Sequence, residues 1–123
     1  MDKYLININS SIRDAMKAIN LNHKQAIIIV DKDLTLIGVA SDGDIRRGLL
    51  EGYLMEENIK SVFNSSPASI PSDISKIERK KYEKKFINIY PIINDRNKVV
   101  GVHFKDKKDN VSNEYAVIMS GGL

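Results

Sequence analysis

A serine and an aspartate three residues apart, Ser41 and Asp44, have the types and the spacing to hold a phosphorylated ligand. They stand where an apolar stretch gives way to a helical pattern, so we place them at a helix start. A helix N-terminus attracts phosphate through its unpaired N–H groups and positive dipole end. Ser41 can add a hydroxyl donor, and Asp44 can accept from two ribose hydroxyls. The same spacing also predicts a capping box, the commoner arrangement, in which both side chains serve only their own helix.

Further charged residues follow in the same helix. Arg46 and Arg47 are candidate phosphate ligands because a guanidinium fork matches phosphate oxygens, although we expect one of them to lie on a solvated helix face. Asp42 lies in the first turn and joins the candidate set. No nucleophile with a base and no pair of carboxylates is discernible, so the pattern predicts that this chain is not itself an enzyme.

The elements that must position these side chains form one unit. Residues 26–30, AIIIV, are apolar and mostly β-branched, which predicts a strand buried on both faces. A polar break of hairpin length separates it from a second strand over residues 34–40. Gly38 within that strand suggests a bulge or a close approach of another backbone. Upstream, a short strand and a serine-capped helix over residues 12–20 are predicted.

The unit occurs a second time. When Gly101 is placed on Gly38, residues 89–107 run against residues 26–44 without a gap. Internal duplication of this kind predicts two half-units that share one core, so the second copy should contain the same pair of strands. A helix is predicted over residues 73–85, although its apolar stripe is poor.

The second copy departs from the first at the candidate site. Phe104 stands opposite Ser41 and Lys107 stands opposite Asp44, so the ribose acceptor is missing. Lys107 could meet a phosphate, but a surface position is the expected one. We therefore predict one ligand per chain, bound beside Ser41 and Asp44.

The stretch IIIVDKDLTLIGVASDGDIRRGLL carries a family resemblance. Two apolar strands followed by Gly-Val-x-Ser-x-x-Asp at a helix start resemble a CBS domain, and the duplication resembles a CBS-domain pair. The resemblance covers about residues 3–108 and is weaker in the second copy. It implies an α+β fold of two strand-helix-strand-strand-helix repeats, packed as a pseudo-symmetric pair. We place the first repeat at residues 1–64 and the second at residues 65–108.

The first copy is most similar to pairs fused to the front of bacterial sugar-phosphate nucleotidyltransferases. Residues 109–123 would then be a linker and the first strand and Gly-Gly of a truncated catalytic domain. The resemblance implies a regulatory module that binds an adenine nucleotide (AMP, ADP or ATP) and modulates the attached transferase. The alternative is a ligand-free structural module of the same enzyme. Both imply a homodimer, because CBS pairs often associate with one another.

The resemblance also assigns nucleotide contacts. In CBS domains the matching Ser/Thr and Asp contact phosphate and ribose, and an apolar slot takes the adenine. By resemblance the slot is lined by Ile6, Asn7, Gln25, Ala26 and Ile27, with plain core packing as the alternative for its apolar members. Together with the helix start, the candidate set is Ile6, Asn7, Gln25, Ala26, Ile27, Ser41, Asp42, Asp44, Arg46 and Arg47.

Composition argues against several other classes. The net charge is +3, with acids and bases interspersed, which favours an anionic ligand but not a nucleic-acid partner. There is no cysteine, and His23 and His103 lie far apart in the sequence, so no metal is expected. No apolar stretch approaches the roughly 20 residues of a membrane span. No signal peptide is evident, which predicts a cytoplasmic protein without a membrane partner.

Overall fold

The computed structural model describes residues 2–105, which form two small three-stranded sheets and two α-helices. The predicted α+β fold class is confirmed. Lys107 and the predicted segment at residues 109–123 lie outside the described residues. The elements are β1 Leu5–Asn7, α1 Ile12–Asn22, β2 Ala26–Val30, β3 Leu36–Ser41, α2 Asp42–Leu50, β4 Ile70–Pro71, β5 Ile89–Ile93 and β6 Val99–Phe104, with short 3-10 helices at Asp2–Tyr4, Ile59–Ser61 and Glu78–Tyr82.

The two sheets have the same topology and the same irregularity. In each, the middle strand (β2 or β5) pairs with a parallel strand on one side and an antiparallel strand on the other. Gly38 pairs with Ile29 in the first sheet, and Gly101 pairs with Ile92 in the second. The register shifts immediately after each of these pairs. The duplication predicted by placing Gly101 on Gly38 is therefore confirmed at the level of individual strand pairs.

The middle strand of the first sheet is buried on both faces, as its composition predicts. Ile27 and Ile29 face α1 and α2 and join a core that includes Ile12 and Ile45. Ile28 and Val30 point the other way and join a second cluster with residues of β5 and β6. Because side chains alternate along a strand, one five-residue element holds the helices on one side and the second repeat on the other.

The hairpins of the two repeats meet at an approximate two-fold axis. The backbone N–H of Leu36 donates to the carbonyl of Asn97 at 2.9 Å, and the N–H of Val99 donates to the carbonyl of Leu34 at 2.8 Å. Leu34 and Asn97 both have left-handed backbone angles, with φ of 65° and 61°. The repeats are thus joined by reciprocal backbone bonds as well as by apolar packing.

The helix predicted over residues 73–85 is wrong. Turns and the 3-10 helix Glu78–Tyr82 occupy this stretch, and Ile77 is 85% exposed. Lys81, in the same stretch, is also exposed. The sequence offers too few apolar side chains at helical spacing to bury one face of a helix, and most helical stability in proteins comes from such burial.

Asp31 and Asn94 occupy equivalent hairpin positions and make equivalent bonds. The Asp31 carboxylate accepts from the N–H groups of Asp33 and Thr35, both at 2.9 Å. The Asn94 side-chain oxygen accepts from the N–H groups of Arg96 and Lys98, at 2.9 and 3.0 Å. An amide oxygen can therefore accept the same two hydrogen bonds as a carboxylate in this hairpin.

This equivalence makes Asp31→Asn a defined test of a pH effect. The hydrogen bond from the Thr35 N–H, with that from Asp33 and the charge of Lys98, lowers the pKa of Asp31. A carboxylate whose pKa is lowered by folding adds stability above its unfolded pKa, near 4, and loses that stability as the pH falls through the folded pKa. We expect Asp31→Asn to fold, to be less stable than the parent at pH 7, and to approach it below pH 4. Urea unfolding at both pH values measures the gap.

Asp33→Asn is the matched control, because it removes a charge from the same turn and keeps both hydrogen bonds to Asp31. The other carboxylates titrate in parent and variant alike and cancel in the difference. A gap between parent and Asp31→Asn that is equally large at pH 7 and at pH 3 would contradict the assignment.

Candidate functional site

The start of α2 is a complete capping box, as one of the two sequence interpretations predicts. Ser41 is the N-cap, and its Oγ accepts from the N–H of Asp44 at 3.0 Å. The Asp44 Oδ2 accepts from the N–H of Ser41, also at 3.0 Å. Asp44 Oδ1 accepts from the guanidinium of Arg47 at 2.6 Å. An ionised carboxylate offers about four lone-pair sites, so two acceptor positions remain on Asp44 for further donors.

The two candidate arginines are both paired with acids of their own helix. Arg46 donates to Asp42 at 2.7 Å, and both side chains are more than half exposed. The Arg47 side chain is also mostly exposed in its pair with Asp44. Exposed ion pairs contribute about 0–1 kcal/mol, so either arginine could exchange its carboxylate for a phosphate at little cost.

An apolar cavity of about 220 Å³ opens between the two repeats beside Ser41. Three of the candidate residues, Gln25, Ala26 and Ser41, line its first-repeat wall. The remaining lining is mostly apolar and comes from both repeats: Lys24, Val39, Asn64, Pro67, Ala68, Phe86, Ile87, Asn88 and Ile89. An apolar pocket with a few convergent polar groups is the usual form of a small-molecule site.

The other candidates lie away from this cavity lining. Ile6 and Asn7 pair with Ile29 and Val30, at the far end of β2 from Gln25 and Ala26. Ile27 is fully buried in the core that faces the helices. Asp42 lines a separate open groove with His23 and residues of α1. Within the described residues the adenine slot is therefore not assembled as one surface, and these contacts stay predictions.

The second-repeat wall is the part that sequence reasoning missed. Phe86 is 87% exposed and has a left-handed backbone, with φ of 72°. Next to it, the Asn88 side-chain amide donates to the Gln25 side-chain oxygen at 2.9 Å and so bridges the repeats. Phe86 is the counterpart of His23 in the duplication, and His23 also has a positive φ, of 59°, but this shared conformation is visible only in the structure.

Tyr90 holds this wall in place. Its hydroxyl accepts from the N–H of Lys84 at 2.6 Å and lies 3.0 Å from the carbonyl of Ile87, to which it can donate. Burial in a separate cluster with Ile70 and Ile92 raises the pKa of Tyr90, so the hydroxyl remains a donor at neutral pH. The segment that carries Phe86 is thus tied to a fully buried residue of β5.

We expect Tyr90→Phe to destabilise the fold by about 1 kcal/mol, because a part-buried N–H and carbonyl lose their partner. Amide exchange in residues 84–88 should quicken by more than the global loss of stability accounts for. Urea unfolding and exchange measured by NMR provide the two readouts. Tyr82→Phe is the control, since Tyr82 lies in the same segment with its side chain partly exposed. Equal effects of the two substitutions would contradict the anchoring role of Tyr90.

The equivalent cleft of the second repeat is occupied by aromatic side chains. Phe104, the counterpart of Ser41, packs edge-on against Tyr4 with ring centroids 4.8 Å apart. The Lys24 ammonium lies 4.9 Å from the centroid of the Phe104 ring. A small apolar cavity of about 210 Å³ remains there. In the described residues the two clefts therefore differ in chemistry and not in volume: one is lined by a serine at a helix start, the other by the aromatic rings of Tyr4 and Phe104.

Comparisons with known proteins identify the fold. Residues 2–51 match the family model of the CBS domain. A Vibrio cholerae protein described as an acetoin utilization protein (AcuB) superposes with a TM-score of 0.72 at 19% identity, covering 82% of this chain and 76% of that one. The CBS-pair protein CBSX2 of Arabidopsis thaliana gives 0.65 at 18% identity, over 81% and 78%. The chain has the fold of a CBS-domain pair. A CBS domain protein of Pyrobaculum aerophilum, PAE2072, solved in complex with AMP, gives 0.65 at 18% identity, over 81% and 78%.

Two curated relatives align along most of the pair. An uncharacterized protein of Helicobacter pylori strain J99 is 34% identical over 100 residues. The arabinose 5-phosphate isomerase KpsF of Escherichia coli O6:H1 is 25% identical over 99 residues. These alignments cover 80% and 79% of this chain and 30% of each relative. The chain spans about a third of the length of the curated relatives it matches.

Residues 2–105 were predicted to have neither a membrane span nor a metal site. No helix in this part of the chain is long and apolar enough to cross a membrane. Nor does it bring three or more His, Cys, Asp or Glu side chains together in a group that could hold a metal ion.

Proposed function

We propose that this CBS pair is a regulatory module that binds one adenine nucleotide, of the AMP, ADP or ATP type, in the cleft beside Ser41. The observation that carries the proposal is the asymmetry of the clefts. The first is lined by Ser41 at a helix N-terminus, whereas the second, a cavity of similar volume, is lined by the rings of Phe104 and Tyr4. The AMP complex of the PAE2072 protein supports the choice of ligand class.

In the proposed complex, Ser41 and the start of α2 bind phosphate, and Arg46 or Arg47 turns from its acidic neighbour toward it. Asp44 accepts from the ribose hydroxyls at its two remaining lone-pair positions. Gln25 and Ala26 border the base, as predicted. Asp42, Ile6, Asn7 and Ile27 complete the proposed set, with Asp42 acting through its pairing with Arg46.

We further propose that the module adjusts an attached enzyme that acts on a sugar phosphate, and that it works as a cytoplasmic homodimer. A nucleotidyltransferase is the partner favoured by the sequence resemblance. The similarity to the arabinose 5-phosphate isomerase KpsF favours a sugar-phosphate isomerase as a second candidate, because most of that relative lies outside the matched region. A ligand-free structural module is the competing function for the pair itself.

Titration calorimetry of the chain with AMP, ADP and ATP tests the proposal. We expect one nucleotide per chain, and a bound ligand at a hundred times its dissociation constant should stabilise the fold by about 2.7 kcal/mol. Absence of heat and of any melting shift at millimolar nucleotide would favour the structural module. Two nucleotides per chain would show that Phe104 and Tyr4 do not block the second cleft.

A further inference from the structure

We propose that Phe86 is the residue on which the nucleobase stacks, so that the second repeat recognises the base of a ligand whose phosphate is bound by the first. The inference rests on the proposed function and adds to it a residue that determines specificity. Phe86 has no counterpart among the contacts that the family resemblance assigns in this sequence.

The backbone of Phe86 has a left-handed conformation. A bulky residue with positive φ is an outlier, and such strain tends to persist at ligand clamps and switches. Phe86 is held in this state by the hydrogen bonds of its neighbours, Lys84 and Ile87, to the buried Tyr90. Phe86 itself is 87% exposed, so burial in the fold does not fix the position of its ring. The left-handed turn therefore holds the ring at the cavity and not in the core.

The Phe86 side chain lies at the cavity beside Ser41. Phe86 lines the same cavity as Ala26 and Ser41 but belongs to the opposite repeat. Val39 and Ile89 also line this apolar cavity. A flat base that enters beside Ser41 would contact the apolar lining and the face or edge of the Phe86 ring. All four nucleobases stack on aromatic side chains, so this contact does not require a particular base.

A positive charge lies beside the Phe86 ring. The Lys85 ammonium lies 5.4 Å from the centroid of the Phe86 ring. A lysine beside an aromatic ring that lines an apolar cavity suits a ligand that combines an aromatic ring with a negative charge. Free bases and neutral nucleosides lack that charge, so the site suits a nucleoside phosphate better than either of these.

The test compares Phe86→Ala with Ile77→Ala, which removes an equally exposed apolar side chain of the same repeat outside the cavity lining. We expect Phe86→Ala to weaken AMP binding roughly ten- to a hundredfold, the range found when a stacking aromatic is removed. Ile77→Ala should leave the affinity unchanged. Ribose 5-phosphate, which has no base, should bind Phe86→Ala as it binds the parent. Phe86→Trp should restore AMP binding.

A direct readout does not depend on either variant folding. In the parent chain, AMP bound against Phe86 should show nuclear Overhauser contacts between adenine H2 or H8 and the Phe86 ring protons. The stacking role would be overturned if the parent chain binds AMP without these contacts and Phe86→Ala binds AMP with unchanged affinity. The proposed function would still stand in that case. Parent chain that binds no nucleotide would overturn both.

Discussion

Gly38→Ala should destabilise the pair by about 3 kcal/mol, the upper part of the range for overpacked cores. A methyl group at Gly38 would meet the ring of Phe63 and would stand 2.5 Å from the carbonyl oxygen of Asn64. That carbonyl cannot easily retreat, because Asn64 and Val39 exchange two backbone hydrogen bonds, at 2.8 and 3.0 Å. Urea unfolding followed by circular dichroism gives the loss of stability.

The duplication supplies the control for this substitution. Gly101 pairs with Ile92 as Gly38 pairs with Ile29, but a methyl group there would lie 3.4 Å from Ile92 Cδ1, in ordinary contact. We expect Gly101→Ala to change stability by less than about 1 kcal/mol, since a compatible Gly-to-Ala change mainly reduces the entropy of the unfolded chain. Equal losses at the two positions would mean that the strand needs a glycine for a reason other than the close approach of residues 63–64.

The crowding at Gly38 is a feature that the sequence predicted in kind. A glycine inside an apolar strand suggests a bulge or a close backbone approach, and the structure has both. The strands, the hairpins and the duplication could also be predicted from the sequence, because each depends on a local pattern of apolar and turn-forming residues. Asp31 and Asn94 differ in charge, yet both supply the side-chain oxygen that their turn requires.

The helix wrongly predicted at residues 73–85 shows that a local sequence pattern alone does not determine a helix. Ser75 and Glu78 do form a reciprocal capping pair, the local signal of a helix start. The residues that follow lack an apolar face, so the start leads only to a 3-10 turn. A local start signal does not fix an element unless tertiary burial supports it.

Some residues of the candidate site could likewise be predicted from the sequence, and others could not. Ser41 and Asp44 could be placed at a helix start from their spacing, and the predicted capping box formed. Phe86 could not be placed, because its role depends on a left-handed turn and on the packing of one repeat against the other. Two of the three apolar members of the predicted slot, Ile6 and Ile27, could not be told from core residues by sequence, and both pack with the first core.

Asp44→Ala should lower the affinity for AMP roughly ten- to a hundredfold, since hydrogen bonds to charged groups contribute about 1.5–3 kcal/mol and 1.4 kcal/mol is tenfold. The same change removes the acceptor of the Ser41 N–H and releases Arg47. The fold should lose about 1 kcal/mol through the damaged cap. Calorimetry with AMP and thermal melting of the same variant separate the two effects.

Asp14→Ala is the matched control, because Ser11 and Asp14 form the same capping box at the start of α1, outside the lining of the cavity to which Ser41 belongs. It should lose a similar amount of stability and bind AMP like the parent chain. If Asp44→Ala also keeps the parent affinity while its melting temperature falls, Asp44 acts only as a helix cap. In that case the nucleotide would be bound by Ser41, the arginines and the cavity wall, without a charged acceptor for its ribose.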